Sequence, residues 1–178
     1  MEKTSENRHK WLQAGYSLFG EIGLDAMNVE KLSNLIGLSR SSFYYYFGDL
    51  TSFEEELLNV HIANYEKFGA LMENYEHFEQ LFSDEIMVHK KALAFQRQLL
   101  INKSIKRYQA CSDKARSFTE AKTYELWIKF KKVDQDSDEE WALFKAIRDF
   151  YFVQFGQSDQ DPQDVLVLLY SYLGSKTK

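Results

Sequence analysis

Apolar residues recur at helical spacing along most of the chain, and capping residues and glycines separate one run from the next. The first run predicts a helix from about residue 5 to Gly23, because a glycine commonly ends a helix in the left-handed conformation. Asn28 caps a second, short helix that stops at Gly37, and Ser39 caps a third that ends before Gly48. The N-terminal part of the chain therefore predicts three helices with sharply marked ends.

Beyond Gly48 the pattern predicts longer helices with fewer markers. A fourth helix runs from Leu50 to about Tyr75, and the segment 76–83 is ambiguous between a loop and a short helix. The later predicted helices cover residues 84–102, 104–133, 140–155 and 162–174. No segment alternates apolar and polar residues as a β-strand does, so we predict an all-α protein of about eight or nine helices.

Residues 29–48 carry the most specific motif in the sequence. Two short helices meet at Gly37, which supplies the positive φ that a sharp turn requires. The apolar residues that mark their shared interior are Leu32, Ile36, Leu38, Phe43 and Tyr46. This is the spacing of a helix-turn-helix, whose second helix enters the DNA major groove by its N-terminal end.

Side chains that the core does not need make the second of these helices the candidate DNA-contacting surface. Its N-terminal end carries Ser39, Arg40, Ser41 and Ser42, all of which form hydrogen bonds. A helix buries one face, so Phe43 and Phe47, one turn apart, are predicted core residues. Tyr44 and Tyr45 then point outward, toward phosphate or bases. Arg40, in the first turn, is placed to contact a base or a phosphate, and pairing with guanine is the commonest specific contact of an arginine.

With these residues the sequence resembles the TetR-type transcriptional regulators. The matching positions are Leu12, Ala14, Leu18, Phe19 and Gly23 in the first helix, Val29, Leu32, Ser33 and Gly37-Leu38-Ser39 in the second, and Ser42-Phe43-Tyr44-Tyr45 and Phe47 in the third. The resemblance covers about residues 8–53. It implies a three-helix DNA-binding unit, residues 1–49, and a helical ligand-binding and dimerisation domain, residues 50–178. It also implies a homodimer on a palindromic operator in double-stranded DNA.

Three positions depart from the family pattern, and each bears on DNA contact. Asn28 stands where the family usually has threonine, but asparagine caps about as well and still donates to a phosphate. Tyr46 replaces a frequent histidine and keeps a donor. Leu50 replaces a lysine that contacts phosphate in the family. Arg8 and Lys10, or an N-terminal arm that carries Lys3, are the candidates to compensate for that lost cation.

Composition narrows the class of protein without pointing to DNA. The chain has 178 residues and a net charge of −5, so any contact with DNA must be local. It is 44% apolar and 16% aromatic, which argues against disorder. Cys111 is the only cysteine and is predicted to be a small buried residue. With no signal peptide and no apolar stretch of membrane length, we expect a soluble cytoplasmic protein.

No pattern in the sequence indicates catalysis. There is no P-loop, no nucleophile elbow and no zinc signature, so we expect no enzyme activity, no cofactor and no metal. The helical pairs Glu73/His77 and Glu85/His89 lack a third ligand nearby, and surface pairing is the better interpretation.

The C-terminal part offers a candidate pocket and a candidate interface. The pocket candidates are Phe95, Leu99, Tyr108, Tyr124, Trp127 and Ile128, although each one singly fits an ordinary core. Residues 150–155 and 165–170 are apolar nearly all round, which requires a partner on a second side. We predict that the last two helices form the dimer interface, with Phe152, Val165, Leu169 and Tyr172 in contact with the second subunit.

These features predict a sequence-specific transcriptional regulator, a repressor that a small-molecule effector releases from DNA. The alternative is a helical ligand-binding or interaction protein that keeps the fold but has little DNA affinity. The acidic charge and Leu50 favour the alternative, and the helix-turn-helix favours the regulator.

Overall fold

The computed structural model describes residues 2–82, 90–132 and 137–155, together with the single positions 164, 167 and 171. These ranges contain α-helices and no strand, which confirms the all-α prediction for the described part of the chain. The helices are α1 (Glu2–Ile22), α2 (Val29–Ile36), α3 (Arg40–Phe47), α4 (Leu50–Met72), α5 (Lys90–Ile101), α6 (Lys106–Ser117), α7 (Glu120–Lys131) and α8 (Asp138–Phe155). Within these ranges every helix is too short or too polar to cross a bilayer.

The N-terminal helices end where the capping residues predict. At the start of α2, Asn28 Oδ1 accepts a hydrogen bond from the backbone N–H of Lys31 at 3.0 Å. At its end, Gly37 adopts φ +68°, in the left-handed region that glycine occupies at little cost. After α1 the chain adds a short 3₁₀ turn, Gly23–Ala26, which the sequence pattern does not predict.

The predicted single helix over residues 104–133 is wrong, because Phe118 and Thr119 separate α6 from α7. The Phe118 carbonyl lies against Gly69 of α4, so close that a Cβ at Gly69 would stand 2.4 Å from its oxygen. Thr119 Oγ1 donates to a carbonyl oxygen of the last turn of α6 at 3.2 Å. No glycine or proline marks this break, so it is packing against α4 that fixes its position.

Smaller differences occur at other helix ends. Helix α4 stops at Met72 rather than near Tyr75, and a 3₁₀ turn, Phe78–Phe82, occupies the ambiguous segment. Helix α8 begins at Asp138, where Ser137 Oγ accepts a hydrogen bond from the backbone N–H of Glu140 at 3.1 Å. The predicted final helix, residues 162–174, lies outside the described ranges apart from positions 164, 167 and 171.

The main hydrophobic core joins the N-terminal helices to α4, α5 and α6. Its largest buried members are Trp11, Phe19, Leu32, Phe43, Phe53, Leu57, Phe95, Leu99 and Tyr108. Across it, the ring of Phe19 on α1 lies 4.5 Å from that of Phe95 on α5 and 5.6 Å from that of Tyr108 on α6. Helix α1 thus packs into the C-terminal helices, and one core crosses the predicted domain boundary at residue 49.

A second cluster lies farther along the molecule, where α7, α8 and the end of α4 meet. Its buried members are Met72, Tyr75, Phe78, Leu126, Trp127 and Phe144. Rings supply much of this packing; for example, those of Phe78 and Phe130 stack at 4.8 Å. Phe78, Trp127 and Phe144 of this cluster line a cavity.

Candidate nucleic-acid interface and ligand cavity

Helices α2 and α3 meet in a tight, well-capped turn. After Gly37 the chain reverses, and Ser33 Oγ donates to the carbonyl oxygen of Leu38 across the turn. Ser39 then caps α3, its Oγ accepting a hydrogen bond from the backbone N–H of Ser42 at 3.3 Å. The free backbone N–H groups in the first turn of α3 give this end a partial positive charge that suits a phosphate or a base edge.

Helix α3 has one buried face and one exposed face. Phe43 and Phe47 are buried at 0% and 5% exposure and pack on each other and on Phe53 of α4. Arg40 and Tyr44, one turn apart, flank this buried face and are exposed, Tyr44 to 54%. Ser41 and Tyr45 form the row opposite the buried face, and Tyr45 is 76% exposed. An exposed face of this size with an arginine near its N-terminal end is able to contact DNA.

Helix α1 fixes the orientation of α3. The indole Nε1 of Trp11 donates to Ser42 Oγ at 3.1 Å, and the Trp11 ring meets the Phe43 ring edge-on at 5.2 Å. Trp11 is fully buried. These contacts hold α3 in place, and a helix that is already held in place loses less entropy when it binds a partner.

The eight residues predicted to contact DNA divide into two groups. Arg40, Ser41, Tyr44 and Tyr45 have exposed side chains on the outer face of α3. The others also serve the protein itself: Asn28 and Ser39 are exposed caps, Ser42 receives the Trp11 hydrogen bond, and Tyr46 is half-buried against the core. Asn28 uses its oxygen as the cap, which leaves its amide N–H groups for a phosphate.

Arg8 and Lys10 of α1, two of the candidates to compensate for Leu50, are paired with carboxylates. Arg8 forms an ion pair with Glu56 of α4, and Lys10 Nζ lies 2.7 Å from Glu6 Oε1. At the start of α4, Asp49 Oδ1 accepts a hydrogen bond from the backbone N–H of Ser52, which lowers the pKa of Asp49 and keeps it ionised. This end of α4 therefore presents a carboxylate, next to the position where the resemblance leads one to expect a lysine.

An apolar cavity of about 80 Å³ lies between α4, α5, α7 and α8. Its aromatic walls are Phe68, Phe78, Trp127, Phe144 and Phe152. Leu81, Leu93 of α5 and Ile147 of α8 add aliphatic side chains to the lining. An apolar space of this kind suits a small organic molecule.

Polar groups interrupt the apolar lining of the cavity at five residues, Tyr65, Thr119, Thr123, Arg148 and Tyr151. The Tyr65 hydroxyl and Arg148 Nη1 are both buried, and neither has a hydrogen-bond partner among the described residues. Burial raises the pKa of Tyr65 well above its usual value, so the hydroxyl stays protonated. Arg148 pairs elsewhere through its Nε and Nη2, which donate to Asp149 Oδ1 at 3.1 and 3.0 Å, while its Nη1 lies 3.4 Å from Glu120 Oε1.

Of the six residues predicted to line a pocket, Trp127 lines this cavity. Phe95, Leu99 and Tyr108 lie instead in the main core, where the Phe95 ring stacks on that of Tyr16 at 4.4 Å. Tyr124 and Ile128 pack in the second cluster beside Trp127, outside the lining. Helical spacing shows that these residues are buried, but it does not show which neighbour covers them.

A buried polar chain connects the DNA-binding helices to the C-terminal helices, and sequence reasoning missed it. Tyr16 of α1 bonds His61 Nδ1 of α4 at 2.8 Å, and His61 Nε2 bonds Gln96 Oε1 of α5 at 2.9 Å. Gln96 Nε2 donates to Ser112 Oγ of α6 at 2.7 Å. Since the Gln96 oxygen accepts, the His61 proton sits on Nε2 and Nδ1 accepts from Tyr16. Burial lowers the pKa of His61 to about 4.

Helix α8 carries the candidate dimer surface. Leu143 and Phe150 are 36% and 41% exposed, and Ala146 lies exposed between them at helical spacing. Phe152, predicted at the interface, is 8% exposed and packs inward against Leu93. The other three predicted interface residues, Val165, Leu169 and Tyr172, lie outside the described residues.

Metal binding and thiol chemistry find no support in the described ranges. No group of three His, Cys, Asp or Glu side chains there is placed to hold a metal ion. Cys111 is buried, as predicted, and burial raises its pKa to about 12, which suppresses the reactive thiolate.

Residues 12–51 match the family model described as bacterial regulatory proteins, tetR family. The matched segment begins in α1, contains the whole helix-turn-helix and ends in the first turn of α4. The resemblance seen in the sequence is thereby confirmed. No curated protein matches the chain.

A solved structure extends the likeness to the helices that the family model does not reach. It is that of a protein from Mesorhizobium loti MAFF303099 assigned to the tetR family of transcriptional regulators. The similarity covers 97% of this chain and 95% of that one, with a TM-score of 0.59 and 16% identity. At this identity the comparison establishes the fold, with a helix-turn-helix unit followed by a helical domain.

Proposed function

We propose that this chain, which belongs to the tetR family through its N-terminal helix-turn-helix, is a repressor that a small-molecule effector releases from its operator. DNA-binding transcription regulation follows from the family itself. Residues 1–49 bind DNA in this proposal, and residues 50–178 bind the effector and form the dimer. The proposal adds the sign of regulation, the site that reads DNA and the route by which the effector acts.

The observation that carries the proposal is the exposed face of α3. Arg40 is the first residue of α3, at the end that enters the major groove in this proposal, where two of its guanidinium N–H groups can pair with a guanine. Tyr44 and Tyr45 stand farther along the same side, where hydroxyls reach phosphates. Because Phe43, Phe47 and the Trp11 hydrogen bond hold α3 from behind, contact with DNA requires no rearrangement of the helix.

The polar chain from α1 to α6 supports a route from effector to DNA. Tyr65 lines the cavity and follows His61 by one helical turn, with their rings 4.8 Å apart. His61 in turn accepts the hydrogen bond from Tyr16 of α1. In this proposal a ligand that moves Tyr65 also shifts His61 and, through its hydrogen bond to Tyr16, helix α1. Helix α3 then moves with α1, because Trp11 of α1 is bonded to Ser42 of α3. Two states that differ in the separation of two recognition helices would couple the sites.

A dimer is required, since one recognition helix reads only a few base pairs. We place part of the interface on Leu143, Ala146 and Phe150 of α8, and Val167, an apolar residue that is 66% exposed, is a further candidate. The candidates Val165, Leu169 and Tyr172 remain predictions. Sedimentation should show a dimer that Phe150→Glu dissociates and that Ile101→Glu, at an exposed apolar position on α5, leaves intact.

The experiment that tests DNA recognition is selection from a pool of random duplexes with the purified protein, followed by band shift on the enriched sequence and on any palindrome upstream of its own gene. We expect one palindromic sequence to be enriched, and Arg40→Ala to lose the preference for it. Enrichment of no sequence at low salt would refute the DNA-binding proposal.

The pairing of Arg8 and Lys10 favours a second candidate function. A protein in which Arg8 and Lys10 are neutralised by carboxylates, and in which Asp49 and Leu50 stand at the start of α4, could retain the fold as a ligand-binding or interaction protein. In that case affinity for any duplex would be weak and ligand binding would persist. The selection experiment and a ligand titration together separate the two candidates.

A further inference from the structure

The cavity among α4, α5, α7 and α8 restricts the size and shape of its ligand. Its volume of about 80 Å³ is about half of the roughly 150 Å³ of an engineered apolar cavity that holds benzene. One ring therefore enters with modest side-chain shifts, whereas a polycyclic molecule would need larger ones. The walls Phe68, Phe78, Trp127 and Phe144 offer faces and edges that pack best against a flat aromatic guest.

The Tyr65 hydroxyl supplies a directional contact within this apolar space. The side chain is 2% exposed, lines the cavity and has no hydrogen-bond partner among the described residues. A buried hydroxyl without a partner is unfavourable, so a ligand atom that accepts its proton recovers free energy. The ligand therefore carries a hydrogen-bond acceptor for this hydroxyl.

Charges near the cavity decide against an anionic ligand. Arg148 is paired with Asp149 and Glu120, and Arg116 lies 3.0 Å from the same Asp149 oxygen and pairs also with Asp113. Two guanidinium groups thus meet three carboxylates, and this group of charges is net negative. A ligand carboxylate or phenolate would add a further negative charge to a partly buried site.

We propose that the effector is an uncharged, single-ring aromatic molecule with a hydrogen-bond acceptor to which Tyr65 donates. This inference rests on the proposed function and deepens it by naming the class of ligand. A ligand bonded to Tyr65 lies one helical turn from His61, whose ring packs on that of Tyr65 and which bonds Tyr16 of α1. The contact that determines which ligand binds is therefore also the contact through which binding affects α1.

Three compounds with the same planar skeleton test the proposal. Acetophenone carries a neutral acceptor, α-methylstyrene replaces its carbonyl oxygen by a methylene group, and benzoate carries a negative charge. Each is titrated by calorimetry into the full-length protein without DNA, in the unmodified form and as Tyr65→Phe. Tyr108→Phe is the matched control, because Tyr108 is buried in the main core and lies outside the cavity lining.

We expect acetophenone to bind and benzoate not to. The ratio of the acetophenone affinity to the α-methylstyrene affinity should fall about fivefold to tenfold in Tyr65→Phe, as for one hydrogen bond, and stay constant in Tyr108→Phe. Comparing ratios between proteins cancels the different hydrophobicity of the two ligands. Free Tyr65→Phe should also gain about 2–4 °C in Tm, because it loses an unpaired buried hydroxyl.

Four results would overturn the proposal: an unchanged ratio in Tyr65→Phe, tighter binding of benzoate than of acetophenone, binding of none of the three compounds, or a lower Tm for Tyr65→Phe. The last would mean that the hydroxyl has a partner in the free protein. Since no DNA is present, these results do not test the regulator proposal. A failure of the regulator proposal would appear in the selection experiment, as the absence of an enriched duplex.

Discussion

The helix-turn-helix of α2 and α3 and the helices around the cavity, α7 and α8, differ in how their ends are specified. In the first region each end has a local marker, with Asn28 and Ser39 as caps and Gly37 in the left-handed conformation. In the second, the break between α6 and α7 has no such marker and forms where Phe118 meets Gly69. Local markers fix the ends of α2 and α3, whereas the break between α6 and α7 depends on packing against α4.

We expect the largest effect on stability at His61, which links the two regions through its hydrogen bonds to Tyr16 and Gln96. His61 is neutral in the folded protein, because burial lowers its pKa to about 4 from the ordinary 6.5. As pH falls below 6.5 the unfolded chain takes up a proton that the folded one does not, so stability is lost between pH 6.5 and pH 4. The loss reaches about 3 kcal/mol and then levels off.

Urea unfolding at pH 7 and pH 4.5 measures this loss. His61→Gln removes the titrating group, so its stability should change less over this range than that of the unmodified protein. His77→Gln, at an exposed histidine, should keep the full loss. If His61→Gln loses as much stability as the unmodified protein, the acid sensitivity comes from carboxylates and not from His61.

A pair of glycines sharpens the contrast between the two regions. Gly37 is needed for its conformation, with open space around it, whereas Gly69 is needed for space against the Phe118 carbonyl. Gly37→Ala should cost about 1–2 kcal/mol, and Gly37→Asn less, since asparagine tolerates the left-handed region. Gly69→Ala should cost about 1–3 kcal/mol and Gly69→Asn more. Asparagine performing better than alanine at position 69 would contradict this division.

The sequence predicts the helix-turn-helix better than the helices around the cavity, because only the helix-turn-helix has local markers at its helix ends. Caps, Gly37 and the Phe43/Phe47 pair are local signals, and they gave the ends of α2 and α3 and the outward direction of Tyr44 and Tyr45. The cavity depends on which helix covers which face, a long-range property that spacing does not contain. Phe95 and Trp127 look alike in sequence, yet one fills the main core and the other lines the cavity.

Buried polar residues escaped prediction for a related reason. His61 and Tyr65 occupy apolar positions of a long helix, and nothing local distinguishes them from exposed histidines and tyrosines. Their function follows from partners on α1 and α5, which only the folded chain brings near. A histidine and a glutamine at core positions of different helices are the one signal that could have suggested a pair.

Substitutions on the outer face of α3 test whether the locally specified region reads sequence. Arg40→Ala should reduce discrimination between the selected operator and random duplex by roughly 1–3 kcal/mol. Tyr44→Phe should weaken binding to both duplexes similarly, because a phosphate contact carries little sequence information. Both are measured by band shift at fixed salt. Equal losses on both duplexes for Arg40→Ala would make Arg40 a phosphate anchor.

The smallest expected effect concerns the border between the two regions, where α4 begins. Leu50 is half-buried against the core, and a lysine there would keep its methylene stem packed while its ammonium group reaches solvent beside Asp49. Leu50→Lys should tighten DNA binding and steepen the dependence of log K on log salt by about one unit per subunit. Ile101→Lys adds the same charge on α5, far along the chain from α3, and should leave the slope unchanged. An unchanged slope in Leu50→Lys would mean that α4 does not approach the DNA backbone, and that contact is confined to the turn and face of α3.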